Sequence, residues 1–338
     1  MPMPYVPILK WKKGEQIALS KLSDPIKDSI LPVTCLMSNN SIASILDFKR
    51  HWANRPFVLD FHVESKVTDL QRLGIYDEFL KAGLPFIPAT TPLASAAVLN
   101  KIKKINKGMT IRVDAFADFQ KVVQPFFNSC GIAINEIDVV IDAPWLLEVS
   151  NHLHIAEKSI STMITNCVSY AAAKQTQFRR LIMAGSSFPP MLSNLAAYSI
   201  SSIPRLEWTI WNKIHKEQKN ILFGDYGIDD PIDIQVQGGI TIIPTIRYTH
   251  TDFWHIIRGM HDKAKPRDFT QFHKLSKLLV GNPIYCRSNY SWGDKKISDC
   301  ASTTCTITKC NHGHALEWVK IGLNHHITYV VHQVSSLP

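Results

Sequence analysis

Short apolar runs recur along the chain roughly every 25 to 45 residues, and each is followed by a stretch in which apolar residues return with helical period. The runs are Val6–Leu9, Leu31–Leu36, Phe57–Phe61, Leu84–Pro88, Thr110–Val113, Ile137–Ile141, Leu181–Ala184 and Ile221–Phe223. The helical stretches between them are Glu15–Leu22, Ile42–Ala53, Thr68–Ala82, Leu93–Ile105, Phe116–Cys130, His154–Ala173 and Arg205–Glu217. The runs are apolar almost without interruption, as strands covered on both faces are, and such strands are joined in parallel through helices. An open doubly wound sheet and a closed barrel both meet that description, and the number of repeats favours closure. The predicted fold is α/β, a (β/α)8 TIM-like barrel over residues 1–227.

Past Asp225 the alternation breaks at Asp229-Asp230-Pro231 and at Gly238-Gly239. Ile240–Tyr248 reads as a ninth strand, Phe253–Met260 and Phe269–Leu279 as helices, and Thr328–Val334 as a final strand. Residues 228–338 are therefore expected to form a C-terminal α+β extension packed on the barrel.

Composition supports a large core: of 338 residues 45% are apolar and 19% charged, a length that suits one barrel with additions. The apolar runs are strand-length, well short of a membrane span, and Met1–Lys13 lacks the apolar segment of a secretory signal. A cytoplasmic location without a membrane partner is expected. Of the seven cysteines, Cys35, Cys130, Cys167 and Cys286 are scattered, which predicts reduced thiols rather than a disulfide framework. The net charge of +9 raises nucleic acid as a partner. The lysines are spread thinly, however, and the runs Lys101-Ile102-Lys103-Lys104 and Lys10 to Lys13 read first as solvated surface.

Polar residues stand at the C-terminal ends of the predicted strands, where a barrel gathers its site: Lys10, Asp60 with His62, Thr90, Arg112 with Asp114, Asp142, Ser186 with Ser187, and Asp225. Lys10, Lys12 and Lys13, with Glu15 opening the first helix, form a cluster able to hold a phosphate or carboxylate. Asp60, Arg112, Asp114 and Asp142 can meet as acid and base, as cation ligands, or as an ion-pair network that only closes the polar end. Gly185-Ser186-Ser187 suits anion binding by backbone N–H groups, while the Gly-x-Ser-x-Gly frame of a nucleophilic serine is missing.

Farther on, Arg205 and Glu207 lie before a helix, Asp225 and Tyr226 form a compact turn, and Arg247 and Arg258 add guanidinium groups suited to bidentate anion recognition. In Asn324-His325-His326, read as strand, neighbouring side chains point oppositely, so His326 is the one candidate of the pair. Cys300, Cys305, Cys310, His312 and His314 are rich in zinc-ligating groups, but their spacing matches no common zinc module and the expectation is that no metal is bound. Walker, dinucleotide-binding and His-Glu-x-x-His motifs are absent. The sequence names no cofactor and no catalytic residue.

Several strings carry a resemblance: Tyr5-Val6-Pro7-Ile8-Leu9-Lys10-Trp11-Lys12-Lys13-Gly14-Glu15, Gly185-Ser186-Ser187-Phe188-Pro189, Arg205-Leu206-Glu207-Trp208, Phe223-Gly224-Asp225-Tyr226-Gly227, Arg247-Tyr248, and Trp318 to His326. Together they resemble the beta protein family of satellite bacteriophages and bacterial genomes over nearly the whole chain. The resemblance implies a role rather than a reaction: the beta component of the Gop-beta-cII anti-phage defence locus sits beside a killer protein, Gop, and offsets its toxicity. Two functions follow as expectations. One is an immunity-like partner that restrains a toxic, Gop-like effector encoded nearby. The other is a barrel enzyme or ligand sensor whose mouth binds an anionic, phosphorylated metabolite.

Overall fold

A computed structural model describes residues 5–37, 41–61, 65–146, 152–231, 242–261, 268–302 and 313–337. Among these, no helix is long and apolar enough to cross a membrane. The chain divides into two compact units: Met1–Trp11, Asp28–Ser187 and Leu206–Tyr226 form the first, and Lys12–Lys27, Phe188–Arg205 and Gly227–Pro338 the second.

The first unit is a closed barrel of parallel strands in the order β1 (Tyr5–Leu9), β2 (Val33–Leu36), β3 (Phe57–Phe61), β4 (Phe86–Thr90), β5 (Met109–Asp114), β6 (Ile137–Ala143), β7 (Arg180–Gly185) and β9 (Ile221–Asp225). Each coincides with one of the apolar runs of the sequence. The connections carry α3 (Ser41–His51), α4 (Asp69–Lys81), α5 (Ala96–Ile105), α6 (Gln124–Ser129), α7 (Leu153–Ala173) and α8 (Leu206–Glu217). The helix starts follow from local chemistry. Thr68 caps α4 in a reciprocal box with Gln71 and Ser95 accepts from the Val98 N–H at the start of α5, which satisfies donors that have no partner inside the helix.

The alternation of strand side chains decides what faces where. Val6, Ile8, Val33, Cys35, Val58, Val140, Ile182 and Ala184 belong to one buried cluster. Between strands and helices a second layer is aromatic: Phe48 stacks on Trp11 at 3.8 Å and on Phe57 at 4.1 Å, and Phe79 meets Phe86 edge-on. Such rings bury large areas and hold helix to strand. At the N-terminal end of the barrel the wholly buried Asp138 of β6 accepts from Arg179 Nε and Nη2, both at 2.7 Å, and from Arg180 Nη1 at 3.0 Å.

The second unit holds a three-stranded antiparallel sheet, β10 (Thr245–His250), β11 (Phe253–Arg258) and β8 (Ile200–Pro204) in that order, with α1 (Lys13–Ser20), α9 (Gln271–Val280), α10 (Trp292–Ala301) and α11 (Ala315–Ser335). The short α2 (Asp24–Asp28) lies on the boundary of the two units. The core of the second unit is built from Ile246, Tyr248, Ile257, Phe272, Leu275, Leu279, Ile297, Trp318 and Ile321.

Two expectations are corrected here. Phe253–Met260 is not a helix: Phe253–Arg258 is the central strand, paired on both sides, and Thr251 with φ of 49° turns the hairpin that leads into it. Thr328–Val334 is not a strand but the last two turns of α11, so the strand argument that separated His325 from His326 does not apply, and both imidazoles are fully buried on a helix. The sequence also passed over β8 and α10. The ninth run is a strand at Thr245–His250, and its residues up to 241 lie outside the described ones.

The polar centre of the second unit is Asp294 of α10. It accepts from Tyr248 Oη at 2.7 Å and Ser291 Oγ at 2.6 Å and pairs with His325 Nδ1 at 2.8 Å, while His325 Nε2 donates to the Thr249 carbonyl at 2.8 Å. Burial alone would raise the Asp294 pKa, but His325, Ser291 and Tyr248 outweigh it and hold the carboxyl below its ordinary value. Gly293 leaves no room for a side chain, since a Cβ there would lie 2.3 Å from the Ile321 carbonyl oxygen.

Candidate functional site

Period two along β5 places Thr110, Arg112 and Asp114 on one face, and the register of β5 on β6 sets Asp114 beside Asp142. Arg112 thus reaches across the inside of the barrel near its C-terminal end. Its Nη1 donates to Asp60 Oδ2 of β3 at 2.8 Å, and its Nη2 donates to Asp142 Oδ2 and, at 2.8 Å, to Tyr226 Oη. Tyr226 in turn donates to Asp142 at 2.8 Å. Cys35 Sγ lies 3.5 Å from Arg112 Nη1 and contacts Asp60.

Burial by itself disfavours the charge on Arg112, yet Tyr226, Asp142 and Asp60 raise its pKa well above the ordinary value. Burial likewise pushes the Tyr226 phenol far up, so the hydroxyl stays protonated and can serve as donor to Asp142 and acceptor from Arg112 together. This floor is one cation between two carboxylates, with its guanidinium already spoken for.

Above the floor lies a cavity of about 450 Å³, lined by Asp60, Arg112, Asp114 and Asp142 from the strand ends and by Lys66, Arg72, Thr90 and Thr91. That volume falls in the range of small-molecule sites. Arg72, in the first turn of α4, sits with its guanidinium carbon 4.8 Å from the centre of the Phe61 ring and makes no ion pair or hydrogen bond from its guanidinium among the described residues, its Nε being buried. Thr90, at the end of β4, is 1% exposed with an Oγ1 that has no partner. Lys66 is exposed, with a left-handed φ of 52°. Asp114 takes one N–H, from Phe116 at 2.8 Å.

The structure therefore joins six of the residues singled out from sequence, Asp60, Thr90, Arg112, Asp114, Asp142 and Tyr226, at or below one cavity. Lys10, Ser186, Ser187, Glu207 and Asp225 do not line it. Lys10 follows β1 and is buried. Asp225 accepts from Tyr5 Oη at 2.5 Å. Ser186 follows β7 and is buried, while Ser187 donates to Glu207 and accepts from the Leu206 N–H at 2.9 Å.

Lys12, Glu15, Arg205, Arg247, Arg258 and His326 belong to the second unit and do not line the cavity. Glu15 accepts from the Lys12 N–H at 2.8 Å, and Arg205 is a buried post bonded to the Thr251 carbonyl and Gln333. Arg247 is held by the Ile228 carbonyl and Asp229, Arg258 ends β11, and His326 pairs with Thr249 at 2.8 Å. His62, Cys305, Cys310 and His312 lie outside the described residues.

Sequence reasoning missed Arg72 and Lys66. Arg72 reads as the solvated face of an amphipathic helix. The available signal was position, because the N-terminus of a helix that follows a barrel strand stands at the same end as the strand's C-terminus.

A search among curated proteins finds no match to the chain. A family model described as beta protein matches residues 5–332, nearly the whole chain. On that match the chain belongs to the beta protein family.

Proposed function

We propose that the protein is a component of a phage-encoded anti-phage defence locus, acting as an immunity-like partner that restrains a toxic effector encoded nearby, and that it meets this effector with the C-terminal mouth of its barrel. Membership of the beta protein family supports the role, through the resemblance to the beta component that offsets a killer protein. The observation that carries the choice of surface is a rim of exposed apolar side chains on consecutive connections. Leu70 (80% exposed) follows β3, Leu93 (85%) follows β4, Phe116 follows β5, and Trp145 and Ile155 follow β6. Consecutive parallel strands deliver these residues to one end of the barrel, and clustered exposed apolar side chains with aromatics mark protein-binding surfaces.

The test is co-expression of the chain with the neighbouring toxic protein. Leu93→Glu combined with Trp145→Glu is expected to abolish protection and co-purification while the melting transition of the isolated chain stays in place. Full protection by the folded double variant would remove the mouth as the contact surface. The cavity favours a second reading, a ligand sensor or enzyme whose mouth holds an anionic metabolite, because cations and a buried hydroxyl without partners among the described residues line it.

A further inference from the structure

Arg112, the cation that the sequence points to, is bracketed by Asp60, Asp142 and Tyr226 and has little left to offer an incoming anion. The groups of the same cavity that do have capacity left are Arg72, Lys66 and Thr90. Arg72 presents a guanidinium held in place by the Phe61 ring and by the fold of α4, through Arg72 N to Thr68 O at 2.9 Å, and no carboxylate among the described residues pairs with it. Lys66 adds an ammonium group, and no ion pair engages it among the described residues. Thr90 supplies a hydroxyl, 1% exposed and unsatisfied, on the cavity lining. A buried polar group without a partner costs roughly 1 to 3 kcal/mol, so its persistence in one lining with two cations that no carboxylate among the described residues engages marks a place where a hydrogen-bonding anion would be accepted.

Charge narrows the class. Arg72 and Lys66 together carry two positive charges, which a phosphomonoester, at roughly −1.5 to −2 near neutral pH, offsets and a single carboxylate does not. The ends of β5 and β6 in the same lining are acidic: Asp114 is exposed and keeps one carboxylate oxygen without a partner among the described residues, and the register sets it beside Asp142. Carboxylates there accept hydrogen bonds from hydroxyl groups and repel a second anionic group. A ligand matched to both sets of groups is anionic at one end and hydroxylated at the other, and a cavity of about 450 Å³ holds a molecule of sugar-phosphate to mononucleotide size.

We propose that the barrel mouth binds a phosphorylated polyol, its phosphate on Arg72, Lys66 and Thr90 and its hydroxyl groups toward Asp114 and Asp142. The site lies over β3 to β6, away from the loops after the last two strands, where barrels commonly hold phosphate. This inference rests on the ligand reading of the mouth and is independent of any protein partner.

The experiment is calorimetric titration of the full chain, alone, with ribose 5-phosphate, inorganic phosphate, ribose and citrate. Ribose 5-phosphate is expected to bind at least about tenfold more tightly than inorganic phosphate, and ribose not measurably, because the basic and the acidic groups must both be engaged. Arg72→Gln and Lys66→Asn are each expected to weaken ribose 5-phosphate by about tenfold or more, with Asn chosen because it tolerates the left-handed backbone at that position. Lys66→Asn keeps the test valid should Arg72→Gln shift the melting temperature. Equal binding of ribose 5-phosphate by both folded variants overturns the proposal. Binding of citrate without ribose 5-phosphate overturns the phosphate class while leaving an anion site, and binding of none of the four overturns the ligand reading as well.

Discussion

The two ends of the barrel carry the same chemistry with the signs reversed. At the N-terminal end one carboxylate, Asp138, sits between Arg179 and Arg180; at the C-terminal end one guanidinium, Arg112, sits between Asp60 and Asp142. What separates them is the remaining capacity of their neighbours. Below, Arg179 continues to the carbonyls of Lys107 and Met109, and Gly108, with φ of +71°, comes so close that a Cβ would lie 2.6 Å from Arg179 Nη1. That end is closed. Above, the trio faces a cavity whose wall includes Arg72, Lys66 and Thr90 with donors to spare. An ion-pair cluster is therefore read as structural or functional by what it leaves unsatisfied, not by its composition.

The comparison breaks first at Asp138. Asp138→Ala strands two arginines that are only about a quarter exposed, and a loss of about 3 kcal/mol is expected in urea denaturation, at the lower end for a buried pair because water reaches both guanidinium groups. Binding of ribose 5-phosphate by the folded fraction should be unchanged. A comparable or slightly smaller loss, about 2 to 3 kcal/mol, is expected for Arg112→Met, which leaves Asp60 and Asp142 facing each other without their cation. Adding Asp60→Asn and Asp142→Asn to that variant should recover most of it. Failure of the triple variant to recover would mean that Arg112 holds the barrel by packing rather than by charge.

A smaller effect sharpens the contrast from the second unit, where Asp294 is fully buried and fully partnered. Its pKa lies below the unfolded value of 3.8, so its contribution is complete above that value and is lost as the pH falls through the lower, folded one. Asp294→Asn is thus expected to cost about 1 to 2 kcal/mol at neutral pH and to flatten the acid side of the stability curve below about pH 4. Urea midpoints measured across that range check both. An unchanged acid slope would show that Asp294 is not ionised in the folded chain.

Much of the fold was legible. Parallel barrel strands are covered on both faces, so Ile137–Ile141 and Leu181–Ala184 announce themselves as continuous apolar runs whatever their neighbours are. The extension was harder because its segments are ambiguous by themselves. Phe253–Arg258 is apolar enough for either a helix or a strand, and pairing with β8 and β10 settles it. Thr328–Val334 is locally strand-like, with its β-branched residues, yet it continues a helix begun at Ala315 whose buried positions Trp318, Ile321, Asn324, Ile327 and Val331 recur three and four residues apart.

The site divides in the same way. Asp60, Arg112 and Asp142 could be named from sequence, since a polar residue ending an apolar run has nowhere to go but a strand end, and strand ends of a closed barrel converge. The availability of each group could not be read there. Arg112 could be an acid/base partner, part of a cation site or a member of an ion-pair network and is neutralised by Asp60 and Asp142, while Arg72, which the sequence did not single out, has no counter-charge among the described residues.

By itself, then, the sequence determined the repeating β/α units and the polar character of the strand ends, because hydrophobic period and strand burial are local properties of the chain, while their number only favoured the closure that the structure shows. Which charges cancel one another and which remain open to a ligand was decided only in three dimensions. Pairing of side chains 30 or 52 residues apart, as for Arg112 with Asp142 and Asp60, is a matter of distance across the barrel and has no trace in the order of residues along it.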